Sequence, residues 1–152
     1  MIAETISELL TWTEKHHCRL KSCLQETAYN SQDKRTRMLA EYLIDCEARL
    51  IQLVRKFHKL TKAKVLQTYC VEYISEYEPF TLDTREGSYT NMDTKQLFST
   101  VMAEHNDLIE LYRHLKARAG TPEVANFAEE MLSMEVHETQ RISQASNRLQ
   151  DI

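Results

Sequence analysis

Residues 127–149, FAEEMLSMEVHETQRISQASNRL, are the stretch that decides the fold. Their apolar side chains recur at the helical period of about 3.6 residues and define one buried face. These apolar residues are Phe127, Met131, Met134, Ile142, Ala145 and Leu149. Glu138 occupies the middle of the same face. Because burial of an unpaired charge is costly, this carboxylate needs a partner inside the protein.

Turn-forming residues are scarce: the 152 residues include two Gly and two Pro. Gly and Pro are the usual helix breakers, so this scarcity predicts long helices and few turns. A chain of this length with 42% hydrophobic residues can bury one core. We therefore predict an all-α protein that folds as a single domain over residues 1–152.

Apolar periodicity predicts four long helices, which cover residues 2–29, 31–60, about 92–119 and 122 onward. Asn30 and Ser31 interrupt the first pair, and Ser31 is a candidate N-cap. Gly120 is a candidate C-cap for the third helix, and Thr121-Pro122 restarts the chain with a cap residue followed by Pro. Both turns are short, so each pair of helices is predicted to form an antiparallel hairpin.

The crossover between the hairpins is long. Its first part, TKAKVLQTYCVEYISEY at residues 61–77, keeps a helical pattern and predicts a short extra helix that bends away near Thr61. The pattern residues are Val65, Leu66, Tyr69, Tyr73 and Ile74. The second part, PFTLDTREGSYTNMD, is typical of irregular connection. We expect Tyr69, Tyr73 and Tyr77 to pack on the bundle or to form a dimer contact rather than to bind a cofactor.

Five polar residues fall on or beside the apolar faces, near the midpoint of each helix. His17, His105 and Glu138 lie within the faces, whereas Glu47 and Glu135 lie at their edges. Midpoints of antiparallel helices come to one level, so these residues are predicted to meet in one polar layer. We expect Glu138 to lie between the two histidines, with Glu47 and Glu135 at the margin.

A weak internal repeat supports this arrangement. A shift of 88 residues places His17 on His105 and Glu47 on Glu135, together with several apolar positions. The pairing predicts two hairpins related by a pseudo-twofold axis.

The stretch ELYRHLKARAGTPEVANFAEEMLSMEVHE, residues 110–138, resembles rubrerythrin-type proteins of the ferritin-like superfamily. The resemblance implies a four-helix bundle with one long crossover and two metal ions, held by a Glu on the first helix and Glu-x-x-His on the second helix of each hairpin. This chain departs from that pattern. His17 and His105 replace the first-helix Glu, and Leu50 and Glu138 stand where the motif has His. The implied metal site is therefore modified or vestigial.

Two imidazoles and up to three carboxylates are a plausible ligand set for iron, manganese or zinc. The sequence thus predicts a metal site of His17, Glu47, His105, Glu135 and Glu138. The resemblance to rubrerythrin-type proteins implies a role in metal handling or oxidative stress. The alternative is a non-catalytic helical scaffold that acts through protein contacts and has a metal-free polar layer. The sequence leaves open whether the chain is an enzyme. A third choice is a histidine phosphotransfer domain, because RHLK at residues 113–116 presents His114 near a helix end.

Charge and hydropathy exclude other classes of protein. The net charge is −4 and the pI about 5.9, so a nucleic-acid binder is not expected. The chain lacks the apolar run of a membrane span, and its first residues, MIAETISELL, lack the features of a signal peptide, so a cytoplasmic location is predicted. The four cysteines, Cys18, Cys23, Cys46 and Cys70, show no paired spacing and are expected to be reduced. A homodimer is the default expectation, and the sequence specifies no other partner.

Overall fold

The computed structural model describes residues 3–70 and 89–150, and within these ranges it contains helices and no β-sheet. The helices are α1 (Ile6–Asn30), α2 (Lys34–Leu60), α3 (Ala63–Leu66), α4 (Thr94–Ala117) and α5 (Pro122–Gln150). A 3-10 turn at Tyr89–Asn91 precedes α4. The predicted all-α bundle of two hairpins with a short extra helix is confirmed.

The helices pair as expected, α1 with α2 and α4 with α5. The second helix of one hairpin also lies beside the second helix of the other, since Arg49 of α2 contacts Glu138 of α5. The first helices meet through Thr13 of α1 and Tyr112 of α4, whose side-chain oxygens are 2.5 Å apart. All four long helices therefore surround one interior.

Side-chain caps fix where the helices begin. Asp33, rather than the predicted Ser31, caps α2, because its carboxylate accepts the Thr36 N–H at 3.2 Å. Ser31 instead follows the last residue of α1 and donates its N–H to Thr27. Asp93 caps α4 in a capping box with Gln96.

The second turn begins slightly earlier than predicted. Helix α4 ends at Ala117, so Gly120 lies beyond its C-cap, Arg118. Thr121 accepts the Val124 N–H, and Pro122 is the first residue of α5. The predicted restart at Thr121-Pro122 is thus confirmed.

The crossover departs from the prediction after Leu66. Tyr69 forms an isolated antiparallel bridge with Thr5, and Cys70 donates its N–H to the Glu4 carbonyl at 2.8 Å. The predicted helix through Tyr69 is therefore wrong, because backbone pairing with the segment before α1 replaces helical bonds. The predictions for Tyr73, Ile74 and Tyr77 lie outside the described residues.

The apolar core consists of two clusters separated along the bundle. One includes Leu9 and Leu10 of α1, Leu108 of α4 and Met131 of α5. The other includes Leu24 of α1, Leu43 of α2, Val101 of α4 and Ile142 of α5. On every long helix, the segment between the two clusters carries the predicted polar positions.

Among the described residues, none of the helices combines the length and the hydropathy that a membrane span requires.

Candidate metal centre

Each long helix contributes one side chain to a set of four polar groups that bond to one another between the two apolar clusters. These side chains belong to His17 of α1, Glu47 of α2, His105 of α4 and Glu135 of α5, and we call them the polar layer. All four residues are 0% exposed. Helical spacing placed them on inward faces, and the antiparallel hairpins bring the helix midpoints to one level.

The polar layer forms a closed ring in which imidazoles and carboxylates alternate. His17 bonds to Glu47 and to Glu135, each at 2.7 Å. His105 bonds to Glu135 at 3.0 Å and to Glu47 at 2.7 Å. The imidazole ring centres are 5.5 Å apart. Every ring nitrogen and every carboxylate oxygen thus has a partner inside the layer.

The ring obeys the pseudo-twofold symmetry predicted from the repeat of 88 residues. Within each hairpin the bond runs from Nδ1 of the histidine to its own glutamate, His17 to Glu47 and His105 to Glu135. Between hairpins the bond runs from Nε2 to the glutamate of the other hairpin. The same atoms therefore play the same roles in both halves.

Opposite charges stabilise the layer. Burial alone would lower the pKa of His17, but the carboxylates of Glu135 and Glu47 outweigh it and raise the pKa to about 9. The pKa of His105 is likewise raised well above its ordinary value. Burial would raise the pKa of Glu47 and Glu135, yet the two histidines hold both below their ordinary range. Two imidazolium and two carboxylate groups give the layer no net charge.

Glu138 is not in the ring. Both nitrogens of both histidines are already bonded to Glu47 and Glu135, so the predicted order, with Glu138 central and these two at the margin, is reversed. Glu138 lies one turn after Glu135 and accepts a bond from Arg49 at 2.8 Å. Arg49, which the sequence reasoning missed, is the partner that a buried Glu138 requires. The only signal for it was a basic residue flanking the inward face of α2.

The buried thiol of Cys46 also contacts Arg49, the partner of Glu138. Arg49 Nη2 lies 3.3 Å from Cys46 Sγ. Burial, followed by the hydrogen bond to Glu138, raises the pKa of Cys46 to about 12. Cys46 and Cys70 are buried, Cys18 and Cys23 are partly exposed, and all four are free thiols.

His16 precedes His17 and has a different environment. Its ring stacks on Trp12 with centres 5.6 Å apart, and Arg19 donates to its Nδ1 at 3.2 Å. Arginine only donates, so the neutral ring carries its proton on Nε2, which faces Glu104 at 3.6 Å. Burial, with the charge of His17, lowers the pKa of His16 to about 3. A metal on Nε2 would require this proton to move to Nδ1, which accepts the bond from Arg19, so His16 is a poor ligand.

The donor set of the layer suits a metal ion. His17, His105 and Glu135 each offer a ligand atom, and these atoms lie within 4.8 Å of one another. The opposite nitrogens of both histidines face Glu47. Metal-bound histidines commonly donate their second N–H to a carboxylate, which orients the ring. Glu47 therefore has the position of an orienting group for two ligands.

His114, the candidate phosphorylation site, lies in the last turn of α4 and is half-buried, not fully presented on the surface.

Comparisons of the chain with protein-family models, with curated proteins and with solved structures each give no match. The function is therefore inferred from the chemistry of the polar layer.

Proposed function

We propose that the chain is a ferritin-like bundle that binds one divalent transition-metal ion, iron, manganese or zinc, in the polar layer. His17, His105 and Glu135 would be its ligands, and Glu47 would orient both histidines. The observation that carries this proposal is the convergence of two imidazoles and two carboxylates, all fully buried, between the two apolar clusters of the bundle. A role in metal handling or oxidative stress follows from the resemblance to rubrerythrin-type proteins.

Ligand chemistry supports these metals. Imidazole suits zinc, iron and related ions, and carboxylate suits manganese, whereas calcium and magnesium prefer oxygen ligands alone. No thiol belongs to the layer. Two cysteines are adjacent in sequence to its members: Cys46 lies 3.3 Å from Arg49, and Cys18 is partly exposed. A metal bound here would supply Lewis-acid or redox chemistry.

Charge balance also supports a divalent ion. With both histidines protonated, the layer holds two positive and two negative charges. One divalent ion with two neutral histidines and the same two carboxylates again sums to zero. Exchange of two protons for one such ion therefore leaves no uncompensated charge in the apolar core, where such a charge would be costly.

Metal analysis of two matched variants tests the proposal. Glu135→Gln and Glu138→Gln make the same chemical change at buried positions one turn apart on α5. We expect Glu135→Gln to weaken metal binding by ~10-fold or more, since it removes a ligand charge, and Glu138→Gln to retain it. The measurement is elemental analysis of protein purified without added metal, followed by titration with Mn²⁺, Fe²⁺ and Zn²⁺.

The closed ring favours a second candidate, a metal-free helical scaffold that acts through protein contacts. All four ring nitrogens already have carboxylate partners at 2.7–3.0 Å, so the layer is saturated without an ion. On this alternative, wild type and both variants would take up none of the three metals. Equal metal loss in both variants would instead contradict the ligand assignment.

A further inference from the structure

An apolar groove runs along the outside of the bundle between α2 and α5. Leu53, Phe57 and Met134 line its middle. Leu53 is 38% exposed, and Leu60, further along the same face of α2, is 69% exposed. Among the described residues, five large hydrophobic side chains are at least 38% exposed, and two of them, Leu53 and Leu60, lie on the same face of α2. An apolar patch with a charged rim marks an interaction surface.

The two ends of the groove carry opposite charges. Glu129 and Glu130 line the end near Phe57, whereas Arg49 and Arg141 line the other end. Two of these charges already have partners: Glu129 pairs with Lys116 and Arg49 with Glu138. Glu130 and Arg141 are exposed and stand on opposite sides of Met134 along α5.

We infer that the groove between α2 and α5 binds the same groove of a second copy of this chain, with a twofold axis beside Leu53 and Met134. Glu130 precedes Met134 by four residues and Arg141 follows it by seven, which is about 6 Å and about 10 Å along the helix. The twofold rotation places Glu130 of each copy opposite Arg141 of the other copy, with an offset of about 5 Å measured along the axis of α5. An extended arginine side chain spans that offset.

Self-association explains the whole pattern better than a foreign helix does. A partner helix would have to match an acidic end, an apolar middle and a basic end in that order. A twofold-related copy matches all three at once, because a symmetric interface places the same patch against itself. The Leu53 side chains then meet at the axis, and the two charged pairs flank them.

Oligomeric state in solution tests the dimer. Light scattering after size exclusion, over a range of concentrations, should give twice the chain mass of 17.9 kDa for wild type. Leu53→Glu should weaken dimerisation by ~30-fold or more, because it places two carboxylates in an apolar contact. The matched control is Met38→Glu, since Met38 is 39% exposed on the same helix but lies outside the groove, and it should remain dimeric.

A charge exchange tests the register. Glu130→Arg and Arg141→Glu should each weaken the dimer, and the double variant should recover most of the wild-type dissociation constant. Circular dichroism controls for folding, and all these positions are on the surface. A monomeric wild type, equal effects of Leu53→Glu and Met38→Glu, or a double variant no tighter than the singles would overturn the inference.

Discussion

The stability of the metal-free protein should fall as the pH rises from 7 to 9. The folded chain holds a proton on His17, whose pKa is about 9, whereas an unfolded histidine titrates near pH 6.5. Over most of this window, folding therefore takes up a proton that the unfolded chain has already released. The stabilisation is fully present below pH 6.5 and is lost as the pH rises through 9.

The magnitude follows from the width of the window. Each pH unit between the two pKa values is worth about 1.4 kcal/mol, so His17 alone should remove ~2 kcal/mol of unfolding free energy between pH 7 and 9. His105, whose pKa is also raised, acts in the same direction. Glu47 and Glu135 are ionised in both states throughout this range, because their pKa values are lowered.

Urea unfolding in the presence of a chelator measures this free energy at pH 7, 8 and 9. The double variant Glu47→Gln/Glu135→Gln removes the charges that hold the imidazole protons, so its stability should change little with pH. Glu138→Gln, a buried replacement outside the ring, should keep the wild-type slope. Wild-type stability that is constant or rises towards pH 9, or a slope that survives in the double variant, would refute the ion-pair description of the layer.

Two further predictions concern other buried groups. Thr13 donates its hydroxyl proton to the Leu9 carbonyl, so Tyr112 must donate to Thr13. Tyr112→Phe should lower the free energy of unfolding by ~1 kcal/mol, and Thr13→Val should lower it more, because it leaves the buried Tyr112 hydroxyl without an acceptor. Equal losses of stability in urea unfolding would contradict this bond assignment. At pH 8, iodoacetamide followed by peptide mapping should find Cys18 modified ~10-fold or more faster than Cys46, whose thiol is buried with a raised pKa, and comparable rates would contradict the described burial.

Helix content and turn positions could be predicted because they depend on local signals. Leu60 ends α2 as expected, and Thr121-Pro122 opens α5. The choice of Asp33 over Ser31 as the N-cap could not be predicted, since both are good capping residues three positions from a possible bond partner. The early end of α3 depends on backbone pairing with Glu4 and Thr5, residues that are distant in the chain.

The four members of the polar layer were predicted from the sequence, but the inclusion of Glu138 at its centre was wrong. A helix contributes an inward face more than 100° wide, and both Glu135 and Glu138 fall on that face of α5. Packing decides which of them points to the bundle axis and which points to α2, where Arg49 lies. The repeat of 88 residues carried better information, since it paired His17 with His105 and Glu47 with Glu135 without reference to helix rotation.

The hydrogen-bonding pattern of the ring bears on the evolutionary origin of the bundle. Each histidine uses Nδ1 for the glutamate of its own hairpin and Nε2 for that of the other. A lone hairpin would therefore leave one nitrogen and one oxygen of its pair open, and two identical hairpins would close the same ring. The bundle has the bonding pattern of a symmetric pair of hairpins joined into one chain, as duplication and fusion of an ancestral hairpin would produce.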